Sequence, residues 1–401
     1  MSERISAFFS YGFRPFFLFA GLYAVLAMAA WMAWIGLYAG QTQALWIRTD
    51  FPPVQWHAHE MLFGYAAAAL AGFLLTATPG WTGEKPVSGL PLALLAGLWL
   101  LGRGAVWFSA TLSPSLVAAM DLAFWVFLLF LVFKTLKGGA FRHVVFFVIL
   151  GLLTAANGMV HLQHLGLTDN TMQAAHLLAL DSYIVLIVVI GGRIVPSFTR
   201  NALRREGDAD PLPLGDWPRV FIDRGAMVLT LALLVADLAA PGASIVGWIA
   251  IAAAIANGVR LAGWKGWRIL DQPILWIVHL GYLWLVVGLA LKGYANLSDA
   301  YSETTALHVL TVGAIGSMTL GIMTRAGLAH TGRPLQAPPA ITVAYVILSL
   351  ATIFRVAGPM WWPEYYNAAM MAAGAGWCLT FAIFVGVFWP ILTRPRVGSE
   401  A

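Results

Sequence analysis

The sequence predicts an all-α polytopic membrane protein whose twelve transmembrane helices form three pseudo-repeated four-helix arcs. Composition sets the class: 60% of the 401 residues are apolar, 10% are charged, and the mean hydropathy is +0.79, outside the balance of a soluble domain. The number of helices follows from apolar runs of about 20 residues, each long enough to cross a hydrocarbon core. The grouping into arcs follows from an internal repeat headed by histidine.

Taken in order, the spans fall near 16–40, 56–79, 90–110, 114–136, 143–165, 172–192, 220–240, 243–262, 273–293, 302–324, 338–358 and 365–391. The first begins almost at once after Met1 to Phe9, which leaves no cleavable signal peptide in view. The second opens on Trp56-His57-Ala58-His59-Glu60-Met61, the fifth ends on Asn157, His161 and His164, the sixth opens on His176 and the tenth on His308. The largest connection, Arg200 to Asp216, mixes both signs of charge with Pro211 and Pro213 and reads as a solvated connector.

Lys and Arg set the orientation. With the N-terminus in the cytoplasm, only Arg48, Arg103, Lys292 and Arg355 of 23 basic residues fall on the outer side, an asymmetry that makes both termini cytoplasmic. The pI near 9.4 then belongs to the inner loops facing the lipid bilayer, and no nucleic-acid partner is needed.

The repeat is read by offset. His59, Gly64, Gly72, Thr82 and Gly83 match His308, Gly313, Gly321, Thr331 and Gly332 without a gap. A third copy starts at His176, with Pro196 and Thr199 at the offsets of Pro79 and Thr82, and Arg193 at that of Arg325. The chain is therefore a single transmembrane domain, 1–401, with pseudo-repeats near 1–137, 138–262 and 263–401. The histidine helix is second in each group.

All three histidine helices run from outside to inside, so His59, His176 and His308 lie near their outer ends. His57, His161 and His164 join them, which brings six of nine histidines to one depth. Ionisable residues inside a membrane are costly, and their default reading is functional. Neutral imidazole is a ligand for haem iron, copper and zinc. His57 and His59 sit about 200° apart on a helix and serve different centres, whereas His161 and His164 sit about 60° apart and can face one. The single cysteine, Cys378, excludes covalent c-type haem and cysteine-held iron–sulfur clusters. Non-covalent b-type haem and histidine-ligated copper remain.

Four blocks in order carry a family resemblance. They are Gly12-Phe13-Arg14-Pro15-Phe16-Phe17; Trp56-His57-Ala58-His59-Glu60-Met61-Leu62-Phe63-Gly64-Tyr65 running on to Ala71-Gly72-Phe73-Leu74-Leu75-Thr76-Ala77 and Trp81-Thr82-Gly83; Gly191-Gly192-Arg193-Ile194-Val195-Pro196-Ser197-Phe198-Thr199-Arg200-Asn201; and Met323-Thr324-Arg325 with His330-Thr331-Gly332-Arg333. Together they resemble the NnrS family. The resemblance implies a haem- and copper-containing bacterial inner-membrane protein of nitric oxide metabolism and nitrosative-stress protection. Ala329 departs from the glycine expected before His330. More distantly, three arcs with histidines on the second helix of each resemble the catalytic subunit of haem-copper oxidases and nitric oxide reductases, although the adjacent His-His copper ligands of those proteins are missing here.

The expected sites follow. His59 and His308 are the candidate ligands of b-type haem, and His57, His59, His161, His164, His176 and His308 the candidate metal ligands, copper included. Arg48, Arg103 and Arg355 are expected in outer loops, where they would meet haem propionates. A reductase also needs an electron donor, which the sequence does not identify, and protons, for which Glu60 and Glu303 are the candidate catalytic carboxylates, with Tyr65, Asp181 and Tyr183 along the same helices. Two other roles fit the same chain: a non-catalytic protein that binds or senses nitric oxide, and a transporter, since twelve spans with internal repeats also suit transporters. Arg193, Arg325 and His330 lie too far along their helices to reach an outer haem and are expected to seal the inner ends.

Overall fold

The computed structural model describes residues 2–39, 47–136, 140–208, 212, 217–298 and 301–398. Lys137, Pro211, Pro213 and Asp216 lie outside them. Every regular element among these residues is helical. After a short helix, Ser2–Phe8, come α1 (Phe13–Ala39), α2 (Pro53–Thr82), α3 (Leu90–Trp107), α4 (Pro114–Leu136), α5 (Ala140–His164), α6 (Thr171–Arg205), α7 (Trp217–Ala239), α8 (Ser244–Ala262), α9 (Pro273–Leu297), α10 (Glu303–His330), α11 (Pro339–Trp361) and α12 (Tyr366–Thr393). These are the expected twelve, and eleven are long and apolar enough to span a membrane. The remaining one, α7, has the length but carries Arg219, Asp223, Arg224 and Asp237, and the structure gives two of these charges buried partners.

Proline opens several helices. Pro53, Pro273 and Pro339 stand at helix starts, where a missing N–H costs nothing and the fixed φ already suits the helix. Glycine closes two of them. Gly83 ends α2 with φ +78° and its N–H on the Pro79 carbonyl at 2.8 Å, and Gly332 follows α10 with φ +72°. Both adopt the left-handed cap conformation that favours glycine.

The histidine helices α2 and α10 share a distortion. In α2 the α-helix Pro53–His59 widens into a π-helical stretch over Glu60–Ala66, then returns to α over Ala67–Thr82. In α10 the widened stretch is Val309–Ile315, between Glu303–His308 and Gly316–His330. In each case it starts one residue after the histidine and contains the glycine five residues beyond it, Gly64 or Gly313. Such turns occur mostly as insertions near functional sites. The third histidine helix, α6, is α-helical throughout.

The chain forms two compact units, one of residues 1–179, 326–334 and 377–401, the other of residues 180–325 and 335–376. In the first unit α2 packs on α1 and α4, α3 pairs with α4, and α4 pairs with α5. Its centre is aromatic: Phe13, Phe16, Phe17, Trp56, Phe63, Tyr65, Phe124 and Trp125 are buried. In the second unit α8 packs against both α7 and α9, and α9 packs against α10. Gly247 and Gly293 let α8 and α9 touch through their backbones, since a Cβ on either would come within 2.9 Å of the other's carbonyl oxygen. Close approach over small residues is how helices associate where lipid removes the hydrophobic drive.

Candidate metal centre

Four helices of the first unit converge on one buried polar cluster. α2 contributes His59 and Glu60, α3 Arg103 and Trp107, α4 Asp121, and α5 Asn157 and His161. His59, Glu60, Asp121 and Asn157 are fully enclosed, and His161 and Arg103 nearly so. Gly102 makes the approach of α3 and α4 possible beside Arg103, because a Cβ there would lie 2.9 Å from Asp121 Oδ1.

His59 is held at both ring nitrogens. Its Nδ1 lies 2.9 Å from Glu60 Oε1, and its Nε2 lies 2.9 Å from Asn157 Oδ1 and 3.2 Å from Asp121 Oδ2. His161 Nε2 reaches the same Asp121 oxygen at 2.9 Å, and Asn157 Nδ2 donates to it at 2.8 Å. Arg103 donates to both carboxylates, with Nη1 at 2.5 Å from Glu60 Oε1 and Nη2 on Asp121 Oδ1. Trp107 Nε1 donates to Glu60 Oε2 at 3.1 Å.

This arrangement has a consequence for charge. With Nδ1–H donating to Glu60, the lone pair of a neutral His59 at Nε2 points at two acceptor oxygens, whereas His161 can donate its Nε2–H to the shared Asp121 oxygen. Lone pairs that face one another repel, and a second proton on His59 or a metal ion among these atoms relieves that repulsion. His59, Asp121 and His161 each offer one donor atom, all within 4.8 Å of one another. Imidazole with one carboxylate is a donor set for copper, zinc or iron. Glu60, bonded to the far nitrogen of His59, is the outer partner that fixes a ligand's tautomer and raises its basicity. The orphaned Nδ1 of His161 has no such support.

The other expected ligands of this unit surround the cluster without joining it. His57 stacks on Trp31 at 4.6 Å between ring centroids, facing away from His59 as their spacing requires. His164 stacks on Phe51 at 4.4 Å, and the same ring lies 5.7 Å from His59 and 6.3 Å from His161. His176 is 6.4 Å from Phe63, which packs at 5.0 Å against His59. Phe51 thus touches both His164 and the triad histidines, and Phe63 touches both His176 and His59.

His308 and Glu303 belong to the second unit. His308 Nδ1 lies 2.7 Å from the Thr304 carbonyl, which sets a tautomer with Nε2 as the acceptor, and Arg355 Nη2 contacts the ring at 3.0 and 3.2 Å. Glu303 bonds to Lys292.

Several expectations about charge need correction. Arg103 and Arg355 are not in outer loops: they sit within α3 and α11, and Arg103 is buried, as is Lys292 within α9. Only Arg48 is an exposed loop residue. Arg103 is committed to Glu60 and Asp121, which removes it as a propionate partner. Asp121 escaped the sequence reading altogether. The signal was present, a lone carboxylate amid the apolar run of α4, and intramembrane charge is informative by itself.

The motifs around Gly192, Thr199 and Arg325 make packing contacts. Gly192 leaves room for the guanidinium of Arg260, since a Cβ would overlap it. Arg260 in turn donates to Asp223 at 2.6 Å and to Val188 O at 2.7 Å. Arg325 covers the Phe198 ring at 3.9 Å, while His330 lies between Tyr11 and Phe13. Thr199 and His279 share a hydrogen bond of 2.8 Å.

No curated protein matches the chain. A family model described as NnrS protein matches residues 7–396. That match takes in every helix that builds the buried cluster, so the chain belongs to the NnrS family, multi-pass membrane proteins of the nitric oxide response.

Proposed function

We propose that this protein is a haem- and copper-binding protein of the bacterial inner membrane, with both termini cytoplasmic, that binds nitric oxide and exchanges electrons with it. The observation that carries this reading is the His59–Asp121–His161 donor group, fully buried, with the His59 ring fixed by Glu60. Copper suits two imidazoles and one carboxylate. Bound copper and haem iron each exchange one electron and take nitric oxide as a ligand.

The chain's own residues divide the work. His59 and His161 supply nitrogen donors and Asp121 supplies the charge that balances the ion. Arg103 donates to both Asp121 and Glu60, and Asn157 orients the Asp121 oxygen that the histidines share. Glu60 accepts from Arg103, Trp107 and His59 together, which makes it a positioning residue. His59 suits an ion better than haem iron, because its ring is fully enclosed with aromatic neighbours on its flanks. His308 suits haem better: it is half-buried, its acceptor nitrogen is set by Thr304, and Arg355 beside it can meet a propionate.

The test is metal and haem analysis of the purified protein, with optical spectra before and after nitric oxide is added. His59→Ala and Asp121→Asn should lose copper and keep haem, and His308→Ala should lose or shift the Soret absorption. Full copper in both cluster variants would refute the assignment. Metal-replete, reduced protein that consumes nitric oxide continuously with an added electron donor is a reductase. Stoichiometric uptake without turnover assigns binding or sensing instead.

A further inference from the structure

The second unit encloses a separate charged cluster that the metal reading leaves unused. Asp181 on α6, Asp237 on α7 and Lys292 on α9 are all buried, and Glu303 at the start of α10 is half-buried. Lys292 Nζ lies 3.0 Å from Asp237 Oδ1 and also bonds to Glu303 Oε1. The Asp181 and Asp237 carboxyls face each other within hydrogen-bonding reach. Each of them keeps its Oδ2 buried with no partner.

Charge counting decides what such a site must hold. Two buried carboxylates against one ammonium leave a net negative charge in a low-dielectric interior, which is several kcal/mol too costly to persist. Two carboxylates also cannot hydrogen-bond without a proton between them. One proton on the aspartate pair satisfies both demands. The site is not sealed, because Glu303 lines a cavity of about 270 Å³ together with Gly242, Asn296 and Ser298 at the adjoining helix ends. Of the other titratable groups near this end, Tyr301 donates to the Leu291 carbonyl, and His308 and Arg355 are in contact with each other.

We propose that the second unit holds a proton-binding site, in which Asp181 and Asp237 share one exchangeable proton and Lys292 links them to Glu303 and the cavity. An incoming proton is taken from hydronium by Glu303, leaving water behind. Lys292 Nζ then receives it as it passes one of its own protons to Asp237 Oδ1, so the ammonium ends unchanged and the aspartate pair gains one proton. The site is independent of any metal, and its test does not use nitric oxide.

Infrared spectroscopy of the full-length protein in lipid nanodiscs reads this directly through the C=O stretch of a protonated carboxyl, which shifts down when H2O is replaced by D2O. Asp181→Asn should remove one such band. Lys292→Met, which removes the cation paired with Asp237, should instead force a second carboxyl to protonate and raise that band about twofold. Glu303→Gln should keep the band but slow its D2O shift by about tenfold or more. An unchanged band in both Asp181→Asn and Lys292→Met would overturn the shared proton. A Glu303→Gln shift as fast as the wild type would overturn the route. Loss of the band on adding Na+ at constant pH would overturn it too, by showing a metal cation in the proton's place.

Discussion

α2 and α10 carry the same local pattern, a histidine followed at once by a π-helical stretch and closed by a left-handed glycine, yet their histidines live in different surroundings. His59 is fully enclosed and bonded to a carboxylate, an amide and a second carboxylate. His308 is half-buried and meets a backbone carbonyl and a guanidinium. The backbone repeats a position, and the neighbouring helices decide the chemistry. Where α4 brings Asp121 to face α2's own Glu60 across the ring, the imidazole faces anions and calls for a cation. Where α11 brings Arg355, the imidazole faces a cation and suits an anionic ligand edge.

The sharpest way to break this contrast is to remove Arg103, the cation of the first cluster. Arg103→Leu strands two buried carboxylates, and breaking a buried pair typically costs about 3–5 kcal/mol. We expect the largest loss of thermal stability in detergent of any single change discussed, together with poor yield. Arg355→Leu, at the half-buried counterpart, should cost far less, and equal losses would show that the two sites do not differ in burial energetics.

Next in size is the outer partner of the ligand. Glu60→Gln keeps the shape but weakens the acceptor for His59, and such changes typically cost about 10–100-fold in metal affinity. Competition with a chelator measures it. Haem content should stay at the wild-type level, and a loss of haem instead would move His59 back to haem ligation.

The repeated glycines compare the packing of the two helices. A Cβ on Gly64 would fall 2.5 Å from Tyr23 Cε1, and one on Gly313 would fall 2.8 Å from Trp284 Cγ. Both alanine variants should lose about 1–3 kcal/mol by overpacking, with Gly64→Ala the more harmful, because Arg103 Cδ also lies 3.3 Å away and metal retention should fall with it. Thermal unfolding followed together with metal content distinguishes the two. The smallest effect belongs to the cap. Gly83→Ala meets open space, so it feels only the cost of positive φ, about 1–2 kcal/mol, and it should leave the metal untouched.

Much of this was legible beforehand. Composition and apolar length gave the twelve helices, and the offsets from His59 and His308 marked the two helices that carry the same distortion. The opposed directions of His57 and His59 followed from two residues of spacing. The triad itself was harder to see. Asp121 has no partner within its own helix, and its role appears only when α3 and α5 deliver Arg103 and His161 from 18 residues before and 40 after. Arg103 looked like a loop residue because charge near a helix end is usually solvated, and nothing local says that it pairs inward. α7 shows the same limit: its charges weakened its membrane signature, and their partners Arg260 and Lys292 lie on other helices.

The π-helical stretch after each histidine has one more consequence. An inserted residue turns everything beyond it by about 100°, so the histidine-bearing tip of the helix and its shaft are aimed independently. The tip can be re-pointed at a new set of partners while Gly72 or Gly321, further down, keeps its face against the same neighbours. A helix with such a joint lets a lineage change what a histidine does without rebuilding the membrane core that carries it.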